Sequence, residues 1–251
     1  MGASRLRVAL AVPCYVDQLR PQVAQATLLL LERLGCDVSL AFDAPCCGQP
    51  MHNAGAFAMA RAAANTWAVS TRPYDMVVMP SGSCTHHVRH HLPTMLDDEL
   101  GTHAARVTYE LCEFIAGPLA MPRLAGRFPH RVAMHLGCHA QRGLRLGGSS
   151  ELHEVPGGPM HALLTGLDGL TLAALTRPDE CCGFGGSFAI GEPELSVSMG
   201  RDRITDCTSH HADVLVSSDP SCLLHLESIA SHNGTALRTM HIAELLEEAT
   251  R

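Results

Sequence analysis

Two short stretches, Cys46-Cys47-Gly48 and Cys181-Cys182-Gly183, carry adjacent cysteines followed by glycine, and each sits inside a longer pattern that the chain uses twice. Arg7-Val8-Ala9-Leu10-Ala11-Val12-Pro13-Cys14 is echoed by Arg131-Val132-Ala133-Met134-His135-Leu136-Gly137-Cys138. Residues 37–42 lead to the first cysteine pair as 170–175 lead to the second. Residues 75–79 run through Pro80-Ser81-Gly82-Ser83 to Cys84, and 212–216 run through Ser217-Ser218-Asp219-Pro220-Ser221 to Cys222. A repeat on this scale means a duplicated structural unit. The two halves are 1–122 and 130–251, joined by a segment containing Pro118, Pro122, Gly126 and Pro129.

Within each half, short apolar runs alternate with helical patterns. The spacing predicts strands over 7–14, 37–42, 75–79 and 106–109, and helices over 21–34, 54–69 and 111–119, with another beginning in 86–92. Val23, Ala26, Thr27, Leu30, Leu31 and Leu34 mark one helix face, closed by Gly35 as a C-cap. The second half repeats the plan with strands over 131–138, 170–175, 212–216 and 237–242, and a helix reaching 249. Such alternation predicts an α/β protein of two homologous halves with mainly parallel sheets, related by a pseudo-twofold. Ligands in such folds sit beyond the carboxyl ends of the strands. That is where the sequence puts every repeated cysteine.

The eight repeated cysteines are Cys14, Cys46, Cys47 and Cys84, then Cys138, Cys181, Cys182 and Cys222. Vicinal thiols do not close an unstrained disulfide with each other. They can face one metal cluster if the backbone turns sharply, and Gly48 and Gly183 supply that freedom. Four thiolates are the usual complement of an iron–sulfur cluster, so one or two clusters, of [4Fe–4S] type, are expected. Buried cysteines also serve as small apolar residues. That explanation suits Cys36, Cys112 and Cys207, which lack counterparts, but it does not predict that the other eight repeat.

Composition narrows the remaining classes. Eleven cysteines in 251 residues are about 4%, below the 8–10% of disulfide scaffolds. Their odd number and paired spacing point to a reducing compartment, the cytoplasm. Arg5, Arg7 and the apolar run 8–16 resemble a short secretory leader, yet no A-x-A site follows, and the same run recurs in mid-chain. No apolar stretch approaches the roughly 20 residues of a membrane span. A net charge of −7 with 4% aromatics gives no surface for nucleic acid.

The stretches Cys46-Cys47-Gly48-Gln49-Pro50, Pro80-Ser81-Gly82-Ser83-Cys84, Cys181-Cys182-Gly183-Phe184-Gly185-Gly186 and Met240-His241-Ile242-Ala243-Glu244 resemble the cysteine-rich CCG domain family. That family includes the B-type subunit of heterodisulfide reductase and iron–sulfur subunits of glycolate oxidase and anaerobic glycerol-3-phosphate dehydrogenase. The resemblance covers nearly the whole chain. It implies an electron-transfer subunit of a complex oxidising L-lactate to pyruvate, not catalytic alone. The implied partners are a ferredoxin-like iron–sulfur subunit and a third lactate-utilisation subunit. The fullest family pattern has a fifth cysteine per half; Ser81 and Asp219 stand in those places here. A four-thiolate [4Fe–4S] cluster is therefore expected rather than a non-cubane double cluster, with Asp219 as a further candidate ligand and Ser81 as a donor to cluster sulfur. The pattern His135-x-x-Cys138-His139-x-x-Arg142 also matches the family. Hydrogen-bonding or cationic groups beside a cluster raise its potential, which assigns His135 and His139 a supporting role.

Two other constellations remain. His86/His90 and His87/His91 are i,i+4 pairs after Cys84, a spacing that can hold zinc but also suits a solvated helix start. Gly183-Phe184-Gly185-Gly186 lacks the spacing of a nucleotide loop and follows two cysteines, so it reads as backbone packed against a cluster. The runner-up functions are another CCG dehydrogenase or heterodisulfide reductase-like subunit and, from a different class, a zinc-binding or thiol redox regulatory module.

Overall fold

The computed structural model describes residues 6–40, 43–97, 99–148 and 157–251. In the first half the order is β1 (Leu6–Leu10), α1 (Cys14–Leu19), α2 (Pro21–Arg33), β2 (Cys36–Ser39), α3 (Gln49–Asn53), α4 (Phe57–Thr71), β3 (Val77–Met79), α5 (Gly82–Leu96), α6 (Glu99–Val107), β4 (Thr108–Glu110) and α7 (Leu111–Ala116). In the second half it is β5 (Arg131–His135), a π-helical turn (His139–Gly143), α8 (Gly158–Thr165), β6 (Thr171–Leu172), α9 (Ser187–Gly191), α10 (Pro193–Ser209), β7 (Val214–Ser217), α11 (Pro220–His232), β8 (Arg238–His241) and α12 (Ile242–Ala249).

All strand pairs within the two sheets are parallel, in the orders β2-β1-β3-β4 and β6-β5-β7-β8. The orders are the same because the sequence pattern is the same. Val77-Val78-Met79 and Val214-Leu215-Val216 are buried along their whole length, as central parallel strands covered on both faces must be.

The expected strands were a residue or more too long at most ends, and Ala41 and Phe42 lie outside the described residues. One expectation is corrected. Arg106 and Val107 close helix α6, and the strand begins at Thr108. The β-branched pair Val107-Thr108 looks like a strand start, but Leu100, Ala104 and Val107 pack with Leu92 and Leu96 of α5, and that contact extends the helix.

The halves are joined by one shared core. Leu30 and Leu31 of α2 pack with Leu245 and Leu246 of α12, and Phe114 and Ile115 of α7 pack with Leu163 and Leu164 of α8. Helices α2 and α8 follow the first strand of their halves and α7 and α12 follow the last, so these are one contact made twice. Arg33 of α2 adds an ion pair to Glu247 of α12 at 3.2 Å. Each half keeps a further core of its own on the other sheet face.

Helices α7 and α12 both start with capping boxes. The first rests on Glu110, whose Oε2 accepts from the Cys112 and Glu113 N–H groups at 2.7 and 3.1 Å. Burial pushes the Glu110 carboxyl up to about 8. A folded-state pKa raised this way gives stability that is fully present below about pH 4.5 and lost as pH rises through about 8. Glu110→Gln is expected to flatten the fall in stability between about pH 5 and 8, measured by thermal unfolding. An unchanged profile would mean that Glu110 is not the titrating group.

Candidate metal centres

The carboxyl ends of β1 and β3 flank the point where strand order reverses, the place where parallel sheets bind ligands. Four cysteines reach it from three connections. Cys14 opens α1, Cys46 and Cys47 lie in the loop before α3, and Cys84 is in the first turn of α5. All four line one cavity with Tyr15, Trp67 and Met79. The Cys14 and Cys46 sulfurs are 3.8 Å apart, and the Gly48 N–H donates to Cys46 Sγ at 3.4 Å.

The second half builds the same arrangement between β5 and β7. Cys138 precedes the π-helical turn, Cys181 and Cys182 lie before α9, and Cys222 is in the first turn of α11. The Gly183 N–H donates to Cys181 Sγ at 3.4 Å and the Phe184 N–H to Cys182 Sγ at 3.5 Å.

Both glycines after the pairs are required by the backbone. Gly48 has φ 94° and Gly183 φ 89°, in the left-handed region that side chains resist. A Cβ on Gly48 would lie 2.9 Å from Ala60 O, and one on Gly183 only 2.5 Å from Ser196 O. Gly183→Ala is therefore expected to cost about 2–4 kcal/mol, combining strain with a backbone clash. Gly48→Ala should cost less. Anaerobic thermal unfolding checks the order, and equal or negligible losses would contradict it.

All eleven cysteines are free thiols. In each half one thiol is pushed towards its ionised form, Cys46 by the S–H of Cys14 and Cys181 by that of Cys138. The same contacts, with burial, push Cys14 and Cys138 well up, and Cys47 and Cys182 rise through their sulfur neighbours. Four sulfurs packed this closely cannot all ionise without a cation between them. The donor set thus fits a metal or iron–sulfur group bound by thiolates, a ligand type that soft metals and iron–sulfur clusters prefer. Cys36, Cys112 and Cys207 sit in the apolar cores. Burial pushes their thiols up, Cys207 to about 11.

Around the second set, His135 is fully buried and neither ring nitrogen has a partner among the described residues. One of its nitrogens lies within 4.8 Å of both Cys182 and Cys222 sulfurs. Burial, reinforced by Arg203, lowers the His135 pKa to about 3, which keeps the ring neutral with one N–H to donate. His139 Nδ1 is 3.9 Å from Cys138 Sγ. Arg142 turns outward to Asp179, just before the cysteine loop, at 3.2 Å.

Ser81 and Asp219 occupy equivalent N-caps, of α5 and α11, and they meet. The Ser83 N–H donates to Asp219 Oδ2 at 2.7 Å; Oδ1 accepts from Ser221 N–H and Oγ–H at 3.2 and 2.7 Å and from Tyr15 OH at 3.2 Å. Tyr15 OH is also 2.7 Å from Ser81 Oγ, which accepts from the Cys84 N–H at 3.2 Å. Both carboxylate oxygens of Asp219 are thus held by protein donors. Ser81 Oγ likewise has protein partners. Sequence reasoning missed Tyr15, Ser83 and the buried Arg203, since nothing in local spacing shows a contact across 204 positions.

Residues 8–89 and 132–227 each match the cysteine-rich domain (CCG) family. The chain belongs to the CCG cysteine-rich domain family. This CCG chain is 36% identical to lactate utilization protein A of Exiguobacterium sp., over 97% of this chain and 98% of that one. It is 34% identical to the protein of the same name from Bacillus velezensis, over 96% and 99%. A crystal structure of a hypothetical protein from Helicobacter pylori superposes with a TM-score of 0.54 over 99% of this chain at 11% identity. The present chain spans about half that chain's length, 49%, and the likeness concerns the fold alone. Among the described residues, no helix is long and apolar enough to cross a membrane.

Proposed function

We propose that this CCG protein carries two [4Fe–4S] clusters, one on Cys14, Cys46, Cys47 and Cys84 and one on Cys138, Cys181, Cys182 and Cys222. In this reading it relays electrons in the cytoplasmic oxidation of L-lactate to pyruvate. A ferredoxin-like iron–sulfur subunit and a third lactate-utilisation subunit complete the complex. The units of duplication are the halves 1–122 and 130–251. The observation that carries the reading is the equivalent convergence of four free thiols at the strand-order reversal of both sheets. The names of the full-length relatives support the choice of lactate.

When bound, each cluster supplies a one-electron couple. The chain's own groups set where that couple lies. The N–H groups of Gly48, Gly183 and Phe184, aimed at cysteine sulfurs, stabilise negative charge there, and buried His135 can donate a further hydrogen bond. Anaerobic purification with iron and sulfide analysis tests the reading. About eight irons with matching sulfide are expected, while zinc without sulfide would end it. His135→Leu, which removes the donor but keeps bulk, is expected to lower the second cluster's potential by tens of millivolts in a redox titration, and an unchanged potential would exclude that role.

A further inference from the structure

Beside the first cysteine set, three histidines come together from two helices. His87 and His91 are one turn apart on α5, and His52 is on α3, six residues after Cys46. Their ring centroids are separated by 5.3 Å (His52–His87), 4.6 Å (His52–His91) and 5.2 Å (His87–His91). One nitrogen from each lies within 4.8 Å of the other two. We propose that His52, His87 and His91 form a mononuclear site for a divalent transition metal of the zinc type, separate from the thiolate sites.

Three imidazole nitrogens around a tetrahedral zinc at about 2.0–2.1 Å stand about 3.4 Å apart, so small ring rotations close the set. His87 is 1% exposed and its Nε2 has no hydrogen-bond partner among the described residues, which leaves a buried lone pair or N–H that calls for one. Burial lowers the His87 pKa to about 3 and lowers that of His91 as well, leaving the rings unprotonated, as metal binding requires. His52 and His91 are only half-buried, which opens the fourth coordination position to solvent, the mark of a site that takes water or a substrate oxygen.

The duplication supplies an internal control. Matching the cysteines of the two halves places Ser187, His225 and Ile229 where the first half has His52, His87 and His91. The single histidine kept there, His225, has its Nε2 3.3 Å from Ser196 O. A thiolate centre in this fold therefore does not require the trio. His86, His90 and His139 continue the ring contacts, at 4.6 Å (His86–His90) and 4.9 Å (His86–His139), but stand outside the three converging nitrogens.

The full-length protein, purified anaerobically with its iron and sulfide measured, is titrated with Zn2+ by calorimetry and then examined by zinc X-ray absorption. One zinc per chain with a nitrogen and oxygen shell is expected. His52→Gln and His91→Gln, both at half-buried positions, should each weaken binding about 100-fold or more while His90→Gln leaves it unchanged. Absence of uptake at micromolar free Zn2+, unchanged affinity in both trio variants, or a sulfur shell would overturn the proposal. The iron and sulfide content of the same sample reports separately on the clusters, so either reading can fail alone.

Discussion

Cys47→Ser is expected to remove about half of the iron and acid-labile sulfide, and Cys182→Ser the other half, leaving about four irons in each variant. The effect is large because Cys47 and Cys182 are both buried within their sets, at 5% and 3% exposure. A serine hydroxyl is a harder and far less acidic ligand than a thiolate. Each variant should keep the electron paramagnetic resonance signal of the other half. Cys112→Ser, in contrast, should leave iron content unchanged. Full iron in both ligand variants, or loss of all iron in both, would contradict two independent sites.

Asp219→Ala is expected to destabilise the protein by about 3 kcal/mol or more. It removes the N-cap of α11, worth about 1 kcal/mol. It also strands the buried Ser83 N–H, at about 1–3 kcal/mol for an unsatisfied donor, and takes one of two partners from the Tyr15 hydroxyl, which keeps Ser81. For a chain of this size that corresponds to a fall of roughly 6–12 °C in Tm. Asp219→Asn keeps one acceptor oxygen and should lose less. We assign Asp219 as the brace between the halves, so Asp219→Asn should lower Tm while both cluster signals persist. A changed second-cluster spectrum at unchanged Tm would point instead to iron ligation.

Much of the architecture was legible in advance. The duplication, the strand beginning near residue 7 and its echo near 131, and the eight paired cysteines all follow from local spacing. So did the helix over 21–34, observed as Pro21–Arg33, because its apolar stripe has the period of a helix packed on one side. Helix α6 was not legible. It is nine residues long, contains Gly101, and ends directly in a strand, so it depends on the packing of α5 for its length. The i,i+4 histidine pairs were visible, but His52 was not connected to them, since it approaches from a different helix.

The sequence by itself determined that eight of the cysteines come in two equal, repeated sets. Cysteine spacing, glycine placement and strand ends are local properties, and local properties repeat faithfully in a duplicated chain. The tertiary structure decided what lies between the sets. Packing α2 on α12 and α7 on α8 brings Ser81 and Asp219 together through Tyr15. It turns the N-caps of α5 and α11 into a buried polar joint. No periodicity encodes that contact, because its partners share no element and meet only once both sheets are built.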